Sequence, residues 1–373
     1  MDEVSKLIMR AEQVNVGLAE GRDRDQIIGL NKQEYGTGDV LATPADFAQH
    51  FYRNPGGKSI VPVIRNNQGD VVGCIWLEPL RIRFNKKNYL GATGTNMVIK
   101  PEYRNTFAFT KLMRRFKQAL EDENIPLHFS FVSEKKYRHL NRSKSKCISL
   151  IPLLAKPLNL RSLVETYFAS RRQRFLVSLM GPALSPFLFR QHLFTSGTAI
   201  VVQPVDQFDE RFDHFWSQVQ DKYCIMVIRD QDFLSWRFSR ISGRDYHTLT
   251  AWASGQMLGY VVLRCSTILG VKAGLIMDFL VDDNKLGQIA GSRLLAEAET
   301  YFRVQQMSMT AALMPSSAAE YRILRRDGYV RVPQAFSPRS FRFAFFVHDV
   351  SDKDLMSLSA QSWFITMGDR DSH

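Results

Sequence analysis

Residues 90–120, LGATGTNMVIKPEYRNTFAFTKLMRRFKQAL, constrain the fold more than any other stretch of this chain. They read as a strand, a short turn and a helix. The apolar run Met97, Val98, Ile99 stops at Pro101, which has no N–H to give a ladder. From Phe109 the positions Leu112, Met113, Phe116 and Leu120 recur at helical spacing. A strand that turns directly into a helix exposes backbone N–H groups at the positive end of the helix dipole. Such a turn suits an anion, phosphate above all. Lys100 and Arg104 add positive charge beside it.

The rest of the chain is ordered around that unit. At 373 residues it is long enough for two domains, and 45% hydrophobic residues supply packed cores. A net charge of +12 favours anionic partners: a coenzyme, a nucleotide-linked substrate, nucleic acid or an acidic membrane surface. The basic residues are dispersed apart from the run at 135–146, and no nucleic-acid-binding motif accompanies them. The four cysteines, Cys74, Cys147, Cys224 and Cys265, lie far apart with no CxxC pair, which speaks against zinc or a disulfide framework. Three of them sit in apolar surroundings and read as buried free thiols. Residues 1–13 mix charges and lack the apolar centre of a secretion signal, so a cytoplasmic location is expected.

In chain order, residues up to about 36 read as helical or irregular. Thr43 followed by Pro44 opens a helix. Strands are expected over 59–64 and 71–77, joined by a turn at 66–70, with a partly exposed strand over 81–89. After the organising unit come a compact strand at 126–132, a basic helix over 133–146 and a last strand at 148–154 closing the first domain. The basic run Arg171, Arg172, Arg174 and the apolar stretch 175–189, interrupted by Pro182 and Pro186, are too short and broken to span a bilayer. That leaves a linker helix buried between domains or a peripheral membrane contact over 171–189. From about 199 the first pattern repeats: helix, helix turn (DFLSWRF), strands over 246–253, 256–264 and 275–281, a helix from Gly291, and a strand at 307–313 followed by a helix.

The pattern V-x-K-P-E-Y-R-x-x-x-A-F-x-x-L-M resembles the acyl-CoA-binding segment of the GCN5-related N-acetyltransferases (GNAT). The resemblance implies an α/β fold with a mixed sheet, here as two tandem acyl-CoA N-acyltransferase-like domains. It also implies acetyl-CoA or another acyl-CoA as co-substrate, without a metal. The strand carrying Met97, Val98 and Ile99 would hold the pantetheine arm. The loop and helix start through Arg104, Asn105, Thr106, Phe107, Ala108, Phe109 and Thr110 would hold the pyrophosphate. The family's loop is (Arg/Gln)-x-x-Gly-x-(Gly/Ala). Phe107 stands where its first glycine is expected and Phe109 where the small residue is. In the family a tyrosine on the next helix protonates the departing thiolate, and Tyr137 is at about that place. AAEYRILRRDGYV resembles the family's final helix and its exit.

The resulting division is 1–158 for the coenzyme domain, 159–198 for a hydrophobic linker and 199–373 for a second, acceptor-shaping or degenerate domain. Charge chooses between the halves. The second domain's turn carries Asp282 and Asp283 where the first has Lys100 and Arg104, although Gly287 and Gly291 make it the more open. DFLSWRF and the tail from Trp363 to Asp369 resemble, more loosely, tandem acetyltransferase-like proteins encoded with polysaccharide biosynthesis genes. That resemblance implies acyl transfer to a small-molecule amine such as an amino sugar, with Trp236 and Arg237 binding the acceptor. Glu34 and Glu78 are the candidate bases. Two other readings stand beside this one: a Fem-type aminoacyl transferase, whose usual coiled-coil insertion is absent here, and a non-catalytic scaffold with a decayed coenzyme site.

Overall fold

The computed structural model describes residues 14–36, 43–104, 107–132, 148–159, 162–163, 200–238, 244–337, 341–349 and 351–370. Asn105, Thr106, Tyr137, Cys147, the basic helix expected at 133–146 and the apolar stretch 175–189 lie outside the described residues. The first half runs β1 (Asn15–Leu18), α1 (Arg24–Tyr35), α2 (Pro44–Tyr52), β2 (Pro62–Arg65), β3 (Val71–Phe84), β4 (Lys87–Ile99), α3 (Ala108–Asp122) and β5 (Leu127–Val132). Two short strands follow, β6 (Ile148–Leu150) and β7 (Leu153–Pro157). The second half opens with β8 (Val201–Val205), α4 (Glu210–Val219), β9 (Ile225–Val227) and α5 (Gln231–Arg237). It continues through β10 (Tyr246–Ala253), β11 (Gln256–Ile268), β12 (Val271–Val281), α6 (Lys285–Val304), β13 (Met309–Leu313) and α7 (Ala319–Arg326). β14 (Val330–Arg331), β15 (Arg342–Val347) and the short α8 (Lys353–Met356) precede the tail.

Local chemistry explains most boundaries. Thr43 accepts from the Asp46 N–H and Pro44 occupies the first turn of α2. Asn85 and Lys86, both at positive φ (48° and 64°), make a two-residue turn that joins β3 to β4. The strand expected at 81–89 is therefore the end of β3 and the start of β4, one long hairpin. Leu269 and Gly270 make the matching turn between β11 and β12. β1 is a correction to the helical reading of the first residues; its four residues, NVGL, are too few to show a period. The strand expected at 59–64 is displaced to 62–65, after the bridge of Ile60 with Leu77.

The halves repeat one plan. In each, antiparallel strands lead to a strand that pairs in parallel with the one after its crossover helix: β4 with β5 over α3, and β12 with β13 over α6. The sheets do not divide where the chain halves do. The first sheet runs β1-β2-β3-β4-β5-β15-β6 with β9 beside β3, and the second runs β14-β7-β13-β12-β11-β10-β8. The last strand expected at 148–154 thus splits: β6 stays in the first sheet, and β7 pairs with β13 and β14. In exchange β15 is inserted between β5 and β6. Each half completes the other's sheet, and one hydrophobic core of residues from both halves seals the junction.

Two smaller cores flank the first sheet. α1 and α2 bury Ile27, Phe47 and Phe51 against Cys74, Trp76 and Val98 on one face. α3 packs Leu112 and Phe116 against Val72, Ile75 and Ile99 on the other. Cys74 is a buried thiol, pushed by that burial up to about 12, whereas Cys224 is exposed and Cys265 half-buried, against the expectation for three cysteines.

Candidate active site

The candidate site lies where β4 parts from β5. Their parallel pairing covers only Gly91, Ala92 and Thr93 of β4. Beyond Thr93 the ladder with β5 ends, and β4 bulges. Thr95 pairs with Trp76 and Val98 with Cys74, so three steps on β4 answer two on β3. Asn96 takes φ 41° there. Every other non-glycine residue at positive φ among the described residues lies in a hairpin turn or just past a helix: Asn85, Lys86, Asn124, Ser254, Leu269 and Gln306. The bulge therefore turns backbone polar groups out of the ladder in the middle of a sheet. Gly94, Thr95 and Met97 are half-buried there.

The turn between β4 and α3 follows. Pro101–Tyr103 forms a single 3-10 turn, and Phe107 is the N-cap residue of α3 with φ −67°. That φ lies outside the left-handed region, so glycine's freedom is not required at 107. The Phe107 ring is 66% exposed and Phe109 is exposed too. Ala108 is buried and Thr110 exposed on the first turn of α3. Arg104 is engaged within the protein. Its Nε donates to the Ile99 carbonyl at 2.7 Å, and its Nη2 meets Glu34 at 2.5 Å. It ties α1 to the end of β4 and spends its charge on a carboxylate.

Of the two candidate bases, Glu34 is thus held by Arg104. Glu78, 2% exposed, lies 2.9 Å from Nδ1 of His50 on α2. Glu78 pairs across the ladder with Thr93, and it shares the α1/α2 face with Trp76, the partner of Thr95. His50 escaped the sequence reading, since a histidine on an apolar helix carries no motif. Trp236 and Arg237, expected to bind the acceptor, have other duties. Trp236 is 6% exposed; its indole donates to the Gln49 carbonyl and its own carbonyl accepts from the Gln49 amide, both at 3.1 Å. Its ring meets His50 edge-on at 5.5 Å. Arg237 donates to the carbonyls of Gly368 and Arg370, each at 2.5 Å.

The corresponding place in the second half is filled. β12 also bulges, at Met277, but every residue from Val271 onward except Lys272 is buried. The tail covers the bulge: a Cβ on Gly368 would lie 2.9 Å from the Phe238 ring and 3.2 Å from the Met277 carbonyl. Arg229, buried, bonds Asp369 at 2.6 Å and lies 3.4 Å from Asp278, which also accepts from Tyr260 at 2.8 Å. Burial holds the Asp278 carboxyl above the usual carboxylate range, and the Arg229 charge offsets only part of that rise. At the end of β12, Glu320 accepts from the Val281 N–H and Lys222 donates to its carbonyl. Asn284 caps the Gly287 N–H of α6 at 2.7 Å. Gly287 gives no opening, because its Cβ would lie 2.2 Å from the Asp282 carbonyl oxygen.

No family model and no curated protein matches the chain. Solved structures do. A GCN5-related N-acetyltransferase from Anabaena variabilis superposes with a TM-score of 0.59 at 12% identity, over 91% of this chain and 74% of that one. The N-myristoyltransferase of Saccharomyces cerevisiae, solved with bound myristoyl-CoA, also gives 0.59 at 12% identity, over 90% and 82%. The fold is that of the GCN5-related acyltransferases in a two-lobed form, as the strand–turn–helix unit implied. Among the described residues no cluster of His, Cys, Asp or Glu could hold a metal, and no helix is long and apolar enough to cross a membrane.

Proposed function

We propose that the protein is an N-acyltransferase that moves an acyl group from an acyl-CoA to an amine of a small molecule, with the coenzyme held by the first half. The observation that carries this reading is the end of the β4–β5 ladder at a half-buried bulge, beside a strand–turn–helix unit, while its counterpart in the second half is covered by the tail. The solved neighbours that carry the same fold, one with myristoyl-CoA bound, support an acyl-CoA as donor.

In this reading the bulged backbone near Met97 and Val98 donates to the thioester carbonyl as negative charge develops on its oxygen. The acceptor amine attacks the carbonyl carbon, a C–N bond forms and the C–S bond breaks. Glu78, with His50 beside it, takes the proton that the amine gives up. Tyr137 is the expected donor to the departing thiolate. The second half acts as a support: Trp236 grips the Gln49 backbone and presses on His50, so the base is held from across the junction.

A scaffold without catalysis is favoured by one feature, the commitment of Arg104 to Glu34. Calorimetric titration with acetyl-CoA and with myristoyl-CoA separates the two. An acyltransferase binds at least one of them with one site per chain; absence of binding at millimolar coenzyme leaves the scaffold.

A further inference from the structure

Past Thr93, the ladder of β4 with β5 has ended, and among the described residues no other strand takes that edge, yet β4 must keep a left-handed residue in register. α1 supplies the missing support. Three of its residues at helical spacing, Asn31, Glu34 and Tyr35, lie on one face and meet successive points of the strand end. Asn31, fully buried and tied to its own helix by a bond to the Ile27 carbonyl at 3.1 Å, accepts at its side-chain oxygen from the side-chain amide of Asn96 at 3.5 Å. Tyr35 donates its hydroxyl to the Met97 carbonyl at 3.0 Å. Glu34 holds Arg104, which in turn binds the Ile99 carbonyl. Elsewhere α1 is weakly apolar, with Ile27, Ile28 and Leu30 as its only buried aliphatic side chains. A helix that served the core alone would have no need to spend a buried asparagine and a half-exposed tyrosine on a strand's backbone.

We propose that Asn31 and Tyr35 are positioning residues for acyl transfer: Tyr35 fixes the peptide plane after Met97 and Asn31 anchors the Asn96 side chain, so that the bulge aims its N–H at the thioester carbonyl. This rests on the acyl-CoA reading above. Tyr35 occupies the Met97 carbonyl, so that peptide plane cannot rotate to bring its oxygen round toward a bound carbonyl, where it would repel the developing charge. Asn31 holds the side chain of Asn96, the bulge residue at φ 41°, and so bears on whether the bulge persists.

The test needs no acceptor. Acetyl-CoA labelled with carbon-13 at the carbonyl is bound to the native chain, to Tyr35→Phe and to Asn31→Ser, and the carbonyl stretch is read by isotope-edited infrared spectroscopy, with affinity from calorimetry and thermal midpoints from circular dichroism. The native protein lowers the stretch relative to free acetyl-CoA. Tyr35→Phe, a surface change that removes one hydroxyl, loses most of that shift while its affinity stays within about threefold, since uniform binding is untouched. Asn31→Ser loses it too. Full retention of the shift in both variants, or weakening of affinity in step with loss of thermal midpoint, overturns the positioning role and makes α1 a plain structural element. Failure of the native chain to bind acetyl-CoA is a different result, which removes the acyl-CoA reading itself and this proposal with it.

Discussion

The two halves build the same bulged strand and treat it in opposite ways. β4 keeps its bulge half-buried and braces it from one side with polar groups of α1. β12 buries its bulge under the tail and closes the end of the strand with Glu320 and Lys222. A buried Arg–Asp cluster is a poor way to gain stability, because desolvation offsets most of the attraction. Its presence at the second bulge is better understood as a plug: it lies against a bulge that is buried, where residues of the first bulge are half-buried. The difference shows that a repeated fold need not repeat the surroundings of its bulged strand.

That contrast can be broken at several points. The largest expected effect is on activity. Glu78→Gln should lower the turnover of an acyl-CoA and amine pair by roughly 10²–10⁴-fold while acyl-CoA affinity holds; an unchanged rate would remove Glu78 as base. Next is stability of the plug. Arg229→Leu leaves Asp278 and Asp369 buried without their cation and should cost about 3–5 kcal/mol in denaturant unfolding. A neutral result would mean that the tail is not packed as described.

The glycines beneath the crossover helices compare the halves directly. A Cβ on Gly274 would lie 2.4 Å from the Phe302 ring of α6, whereas one on Gly94 would lie 3.3 Å from the Phe116 ring of α3 and 2.9 Å from the rotatable Ser130 hydroxyl. Gly274→Ala should therefore destabilise by about 1–3 kcal/mol and Gly94→Ala by less, as read from thermal midpoints. Equal costs would erase the packing difference between the halves.

A smaller effect concerns the exchanged strand. His348, just past β15, lies with Nε2 2.7 Å from Nδ1 of His128. Burial pushes its imidazole below the usual histidine range, Lys117 pushes it further, and Glu121 opposes. A group depressed in the folded state adds stability above its unfolded value that is lost as pH falls through the folded value. Unfolding midpoints should accordingly fall as pH drops below about 6.5, and His348→Gln should flatten that slope. The smallest effect belongs to Arg104→Ala, which breaks a half-exposed pair with Glu34 and should shift stability by about 1 kcal/mol or less. A large loss of coenzyme affinity in that variant would show that Arg104 leaves Glu34 for the phosphates.

Much of this was legible in local pattern. The strand–turn–helix unit is seen as β4 over Lys87–Ile99, the turn at Pro101–Tyr103 and α3 over Ala108–Asp122, because Pro101 and the spacing of Leu112, Phe116 and Leu120 are short-range signals. The DFLSWRF helix turn is seen as α5 over Gln231–Arg237. The strand exchange was not legible. LLAKP and RFAFFV read as strands of any sheet, and partner choice is decided by contacts more than a hundred residues away. The bulge was hidden as well, since Asn96 in GTNMVI shows no sign of φ 41° until a second asparagine, Asn31, lies beside it. Trp236 gives no sign in the sequence of its reciprocal bonds with Gln49, because tryptophan serves equally at a surface and in a core.

The central claim is that the first half alone holds the coenzyme, and hydrogen exchange with and without acetyl-CoA tests it most directly. Added coenzyme should slow amide exchange across 94–112, from the bulge of β4 into the first turns of α3, and leave 277–290 unchanged. Protection confined to 277–290 would place the coenzyme in the half described here as plugged, and would contradict the account.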